Sequence, residues 1–172
     1  MAGAPNESAS PRAPRAGRFA LWLTTALAVL GLDALSKALI VRLVPWGGSI
    51  AVTPFFNIVH MGNTGSAFSM LAGAGGWQIG LFAALAAVVS CVIVVLLWRF
   101  NDRTVFSLAL SLVLAGAVGN LIDRVTLGFV VDFLDFHAFG LHWPAFNVAD
   151  IAICCGAALV VWDEWRRPHS ER

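Results

Sequence analysis

Five carboxylates lie between Lys37 and Trp162, and four of them, Asp123, Asp132, Asp135 and Asp150, fall within residues 119–150. The fifth, Asp102, sits in a short charged turn with Arg99 and Arg103. Asp132 and Asp150 are the pair whose surroundings could do chemistry, because residues 133–149 between them hold no Lys or Arg to neutralise either. Like charges about 3 Å apart cannot both ionise, so a close carboxylate pair shares a proton and the two acidities move apart. Such a pair offers one base to activate a water and one acid to protonate a leaving amine. That is the chemistry of peptide hydrolysis, and the two groups titrate as a unit, so base and acid are not assigned individually.

Other hydrolytic constellations lack their parts. No HExxH pattern is present for zinc, and no GxSxG elbow for a serine nucleophile. His60, His137, His142 and His169 are scattered, and a serine–lysine arrangement finds only Lys37, deep in an apolar run. Cys91, Cys154 and Cys155 also lie in apolar runs, where Cys packs as a small hydrophobe; they read as fillers rather than a disulfide or metal set. No metal, cofactor or nucleic-acid partner is expected.

The elements that must position the pair are set by composition. The chain has 172 residues, 59% of them apolar and 12% charged, with a mean hydropathy of +0.80. A soluble domain of this length carries roughly twice that charge, so the solvent is expected to be lipid. Four apolar runs, 19–44, 77–98, 104–120 and 147–165, are near the roughly 20 helical residues needed to cross a hydrocarbon core of about 30 Å. Backbone polar groups in lipid must be satisfied internally, which makes these runs helices.

Arginine placement orients them. Arg12, Arg15 and Arg18 precede the first run, Arg99 and Arg103 separate the second from the third, and Arg166, Arg167 and Arg172 follow the fourth. The connections 45–76 and 125–146 contain no Lys or Arg. A positive-inside reading puts both termini in the cytoplasm and both connections outside. Trp22, Trp46, Trp77, Trp98, Trp143 and Trp165 fall near the run ends, as interfacial aromatics do.

The expected organisation is therefore a cytoplasmic tail over 1–18, disordered for want of apolar residues, a four-helix domain over 19–166, and a short cytoplasmic tail over 167–172. The run from Phe19 is too long, and too charged at Asp33 and Lys37, for a cleaved signal core. Within the first outer connection, residues 49–60 are rich in β-branched and aromatic types around Pro54, which reads as a strand pair lying on the membrane surface. Residues 61–69 read as a Gly/Asn/Ser turn cluster and 72–76 as a hinge into the second helix. Residues 130–136, VVDFLDF, fit either a surface strand or a turn.

Polar groups inside lipid-facing runs are costly and call for partners. Asp33 and Lys37, four apart, share a helical face and read either as a structural ion pair or as a direct substrate contact. Asn120, Asp123 and Arg124 end the third helix, where Asp123 and Arg124 read as stitches to its neighbours. Asp150 has its own bland account: Asn147, three residues earlier, opens an apolar run as a helix cap with an acidic first turn. An alternative reading of the chain, a small proton-coupled transporter component, strings Asp33, Lys37 and Asp123 into a proton relay. No inverted repeat or paired helix break supports it.

Five short motifs occur in order: LDALSK (Asp33, Lys37), NTGSAFS (Asn63, Gly65, Ala67, Phe68), GNLIDR (Gly119, Asn120, Asp123, Arg124), VVDF (Asp132) and FNVAD (Asn147, Ala149, Asp150). Together, over roughly 19–165, they resemble the lipoprotein signal peptidases, the type II signal peptidases of bacteria. The resemblance implies an aspartic membrane protease of four transmembrane helices with a small outer sheet that cradles substrate. It places the catalytic dyad on Asp132 and Asp150. It puts Asn63, Gly65, Asn120, Arg124 and Asn147 around the site, with Asp33 and Lys37, alongside Asp123, in support. The implied substrate is a prolipoprotein cut on the N-terminal side of a diacylglyceryl-modified Cys. The implied setting is the bacterial inner membrane, among phospholipid, with the enzyme a monomer. One departure is Ala34, where the family often has Gln.

Overall fold

The computed structural model describes residues 15–65 and 75–167. In chain order its elements are helix α1 (Arg15–Leu43), strands β1 (Ser49–Thr53) and β2 (Phe56–Asn63), helices α2 (Trp77–Phe100) and α3 (Thr104–Thr126), strands β3 (Val130–Ala138) and β4 (Leu141–His142), and helix α4 (Val148–Trp165). Residues 1–14 of the expected tail, the second part of the turn cluster (66–69), most of the hinge (72–74) and residues 168–172 lie outside the described residues. Arg15–Arg18, expected in the tail, are already helical.

The middle of the bundle is α3, which packs against α1, α2 and α4. Its sequence explains that place, since the buried positions Ala109, Ala115, Gly116, Ala117 and Gly119 are small enough for neighbouring backbones to approach. A Cβ on Gly116 would overlap the carbonyl of Ala149, and one on Gly156 would lie 2.6 Å from the carbonyl of Ala109, so α3 and α4 touch backbone to backbone. On the other side of α3, Trp22, Ala26, Ile93, Leu97, Leu110 and Leu114 form an apolar cluster shared with α1 and α2. Trp22 is buried in this interior and donates its indole N–H to the carbonyl of Asn101 in the α2–α3 turn at 3.0 Å.

Among the described residues, three helices, α1, α2 and α3, are long and apolar enough to cross a membrane, with mean hydropathies of 1.7, 2.9 and 2.1 over their most apolar stretches. The outer surface of α2 presents Leu81, Leu85, Val88, Val92 and Val95, an apolar exterior that suits lipid. Of the expected spans, the fourth differs from the others. At 18 residues α4 is about 27 Å long and carries Asp150 in its first turn and Asp163 and Glu164 in its last. The third helix runs past the expected end at Asn120 to Thr126, which takes Asp123 and Arg124 into its last turns.

The strand pair expected over 49–60 is half of a four-stranded antiparallel sheet in the order β1-β2-β3-β4. β2 extends through Met61–Asn63, which read locally as a turn, because those residues pair with β3: Met61 with Asp132 and Asn63 with Val130. A register shift between Ile58 and Met61 marks a bulge on the approach to Asp132. Long-range pairing, invisible in a local window, decides these three residues.

Candidate active site

Each carboxylate of interest is presented by a different element. Asp132 is the third residue of β3 and is 3% exposed. Its neighbour Asp135 lies three positions along the strand, hence on the other face. There Asp135 accepts from Asn57 Nδ2 at 2.8 Å and meets His142 Nδ1 at 2.8 Å. Burial alone would raise its pKa, but these bonds and the nearby His142 and His137 hold it below the ordinary carboxylate range.

Asp150 enters on the first turn of α4, where the cap expected from sequence is present in full. Asn147 Oδ1 accepts from the Asp150 N–H at 2.9 Å and Asp150 Oδ2 accepts from the Asn147 N–H at 3.3 Å, a reciprocal box. The cap does not consume the residue. Asp150 Oδ1 turns inward and accepts from Asn120 Nδ2 at 2.8 Å.

Asn147 is fully buried and ties the two carboxylates together. Its side-chain NH2 faces Asp132 Oδ1 at 2.8 Å, Val131 O at 3.3 Å and Asn120 Oδ1 at 3.3 Å. The second oxygen of Asp132 accepts from Asn63 Nδ2 at 3.0 Å. Asn63 Oδ1 in turn accepts from the Gly65 N–H at 2.9 Å, and Gly65 O accepts from Arg124 Nη2 at 3.0 Å. Arg124 also donates to Asn120 O at 3.2 Å, and its guanidinium lies 5.5 Å from the Phe82 ring centre. Asn63, Gly65, Asn120, Arg124 and Asn147 thus converge with Asp132 and Asp150. Ala67 and Phe68 of the same motif fall outside the described residues.

Burial, followed by the charge of Asp150, pushes the Asp132 carboxyl up to about 7, against the hydrogen bonds from Asn63 and Asn147 and the charge of Lys37. A carboxyl so placed exchanges a proton near neutrality, which suits general acid–base work.

The polar residues that sequence left as separate pairs form one cluster. Lys37 Nζ meets Asp33 Oδ2 at 2.8 Å and Asp123 Oδ2 at 2.9 Å, and donates to Asn120 Oδ1 at 3.2 Å. Asp33 Oδ1 accepts from the Ala149 N–H at 2.8 Å, a carboxylate from α1 at the positive end of α4. Gly119 allows this approach, since a Cβ there would sit 2.7 Å from Asp33 Oδ2. Asp123 also accepts from the Val131 N–H at 3.1 Å and so anchors the start of β3.

Asp132 and Asp150 open onto a cavity of about 680 Å3. Its polar end holds Asn63, Asn120 and Arg124, and its walls are Phe82, Leu85 and Val89 of α2, Val113 and Ala117 of α3, and Ile151, Cys154 and Cys155 of α4. Trp143 and Phe146, from the segment between β4 and α4, complete the rim. These apolar wall residues were not singled out from sequence, where they are indistinguishable from other lipid-facing side chains. The three thiols are free, and Cys154 and Cys155 face this cavity instead of filling the core.

A carboxylate pair under a cap, on an apolar cavity among membrane-length helices, can be compared with known proteins. The signal peptidase (SPase) II family, Peptidase_A8, matches residues 25–166. The chain belongs to the signal peptidase II family. A lipoprotein signal peptidase of Paraburkholderia phymatum is 48% identical over 159 residues, covering 92% of this chain and 96% of the relative. Another, from Cupriavidus necator, is 54% identical over 147 residues, covering 86% of this chain and 84% of the relative. Two solved structures described as bacterial membrane enzymes share the fold of this signal peptidase II chain, with TM-scores of 0.77 and 0.73 at 29% and 30% identity. They cover 89% and 87% of this chain and 92% and 95% of theirs.

Proposed function

We propose that this chain removes signal peptides from diacylglyceryl-modified bacterial prolipoproteins, cutting on the N-terminal side of the lipidated Cys, with Asp132 and Asp150 as the acid–base pair. Membership of the signal peptidase II family supports the substrate class. The single observation that carries the mechanism is Asn147, which bonds Asp132 through its side chain and Asp150 through its backbone, so that two carboxylates without a direct cation partner among the described residues are held at one cavity mouth.

In this mechanism the ionised carboxylate takes a proton from water as its oxygen attacks the scissile carbonyl. The protonated carboxyl donates to the developing oxyanion, giving a tetrahedral diol. Collapse breaks the C–N bond while a proton passes to the leaving amine of the Cys, and the pair returns to one shared proton. The half-apolar, half-polar cavity fits a substrate that arrives with acyl chains and a signal helix through the bilayer.

The same reading makes α4 the fourth span, with both termini cytoplasmic and the sheet and site at the outer face of the inner membrane. Charges at the two ends of α4 support this. Asp150 is capped at one end, and Asp163 and Glu164 are held at the other by Arg103 at 2.5 and 2.6 Å. A proton relay across the membrane needs ionisable groups spaced along it, whereas Asp33, Lys37 and Asp123 gather on one another at the level of the α4 N-terminus.

The test is to incubate purified enzyme with a lipidated prolipoprotein and map the new N-terminus. A terminus at the lipidated Cys is expected; cleavage elsewhere, or equal cleavage of the unlipidated precursor, overturns the substrate assignment.

A further inference from the structure

We propose that Lys37 is a positioning residue for hydrolysis: through Asn120, its ammonium fixes the charge carried by the Asp132–Asp150 pair. The inference rests on the reading of that pair as the acid–base unit. An ion pair serving only to join α1 to α3 is complete with Asp33 and Asp123, which meet Lys37 at 2.8 and 2.9 Å. The third ammonium hydrogen goes elsewhere, to Asn120 Oδ1 at 3.2 Å, in a setting where Lys37 is 4% exposed.

That contact, together with the Asn147 NH2 at 3.3 Å from the same oxygen, sets the orientation of the Asn120 amide. With its oxygen held by a cation, its NH2 faces the other way and donates to Asp150 Oδ1 at 2.8 Å. The reversed amide would press N–H against an ammonium and oxygen against a carboxylate, so Lys37 permits one orientation only. The amide dipole then runs from cation to anion, and each bond in the chain strengthens the next. Asp33 reaches the same turn by a second route, accepting the Ala149 N–H at 2.8 Å, one residue before Asp150.

The charged groups facing Asp132 of β3 and Asp150 of α4 are Asp33 and Lys37 of α1 and Asp123 and Arg124 of α3, two carboxylates and two cations. Lys37 therefore opposes protonation of Asp132, and the Asp123 carboxylate, 2.9 Å from the same ammonium, offsets part of that charge. Removing one or the other must move the pH dependence in opposite directions.

The experiment measures kcat and KM against pH, in detergent, for full-length wild type, Lys37→Met and Asp123→Asn, using a fluorescent diacylated lipopeptide. Lys37→Met is expected to move both limbs of the kcat/KM profile up by about one pH unit, and Asp123→Asn to move them down by a comparable amount. KM at the respective optima stays within about twofold, since Lys37 does not line the cavity. Should Lys37→Met not fold, Asp123→Asn alone decides, because it keeps an acceptor for Lys37 and for the Val131 N–H. Folded variants with lowered thermal stability but wild-type profiles overturn the proposal and leave the dyad standing. Retained activity in Asp132→Asn or Asp150→Asn overturns the dyad, and this proposal with it.

Discussion

Asn147 and Asp150 hold each other reciprocally, side chain to backbone in both directions, at the first turn of α4. Helix capping and the presentation of the proposed catalytic carboxylate are thus one structure. Asn147→Ala removes a cap worth about 1 kcal/mol and also strips Asp132 of its 2.8 Å donor. The expected result is a modest loss of thermal stability with a larger loss of kcat, about 10- to 100-fold. Unfolding and turnover measured on the same preparation check this; a rate loss no greater than the loss of folded protein contradicts it.

Asp132, held at about 7, links stability to pH. A carboxyl whose folded value lies above its unfolded value of 3.8 stabilises the fold most below that unfolded value, and the contribution is lost as pH rises through the folded value. Wild type should therefore lose stability between about pH 4 and pH 7, by at most about 4 kcal/mol. Asp132→Asn should flatten that part of the curve and melt higher than wild type at pH 8. Thermal scans in detergent across this range measure it, and identical slopes for the two proteins would rule it out.

The close approach of α3 and α4 is a third test. A Cβ at Gly116 meets the Ala149 carbonyl, Ile153 Cγ1 at 2.6 Å and backbone that cannot swing aside. Gly116→Ala should cost about 1–3 kcal/mol by overpacking and, by displacing the turn that carries Asp150, lower kcat further. Gly31→Ala, with open space around its Cβ on α1, is the control and should be neutral or slightly stabilising. Equal melting temperatures for the two variants would show that the helices separate without cost.

What was legible in the sequence divides along a physical line. Helices came through because lipid imposes long apolar runs, and the α4 cap because Asn147 and Asp150 are neighbours in the chain. The Met61–Asn63 part of β2 did not, since its strand character comes from partners dozens of residues away, and β4 did not because it is only two residues long, paired to His137 and Ala138 across a tight turn. The separate polar pairs likewise concealed a single cluster. Helical spacing predicts that Asp33 meets Lys37, but nothing local says that Lys37 also reaches Asp123 and Asn120 across the bundle. Asn63 enters through family resemblance and Asn147 also as the α4 cap, but their spacing alone does not announce that both donate to Asp132.

Topology is tested directly. The connections 45–76 and 125–146 lack Lys and Arg, and the positive-inside rule then predicts that they lie outside. Ser49 opens edge strand β1, and Gly140 lies in the β3–β4 turn at a φ of 78°. Single cysteines at these two positions, in a background without the native thiols, should react with an impermeant reagent in intact cells whose outer membrane admits it. Reaction at both sites only after inner-membrane permeabilisation would invert the topology and move the site to the cytoplasmic face.

The dyad itself gives the sharpest test. Asp132→Asn and Asp150→Asn each remove an ionisable partner while keeping nearly the same shape. If Asp150 were only a cap, Asn in its place would still accept from first-turn amides, and the loss would be about 1 kcal/mol of stability or less with turnover intact. If the two carboxylates act as one acid–base unit, each substitution should lower the rate by several orders of magnitude. The double variant should be little worse than either single one, because losses within a catalytic unit are not additive. Cleavage rate and thermal stability are to be measured for both single variants and the double in the same detergent. A single variant that folds normally and keeps more than about a tenth of the wild-type rate has lost under about 1.4 kcal/mol of transition-state stabilisation, and its Asp is then not catalytic. For Asp150 that result leaves the cap alone. The acid–base pair then has to be found elsewhere, though Asp123 is held by Lys37 and Val131, and Asp135 by Asn57 and His142.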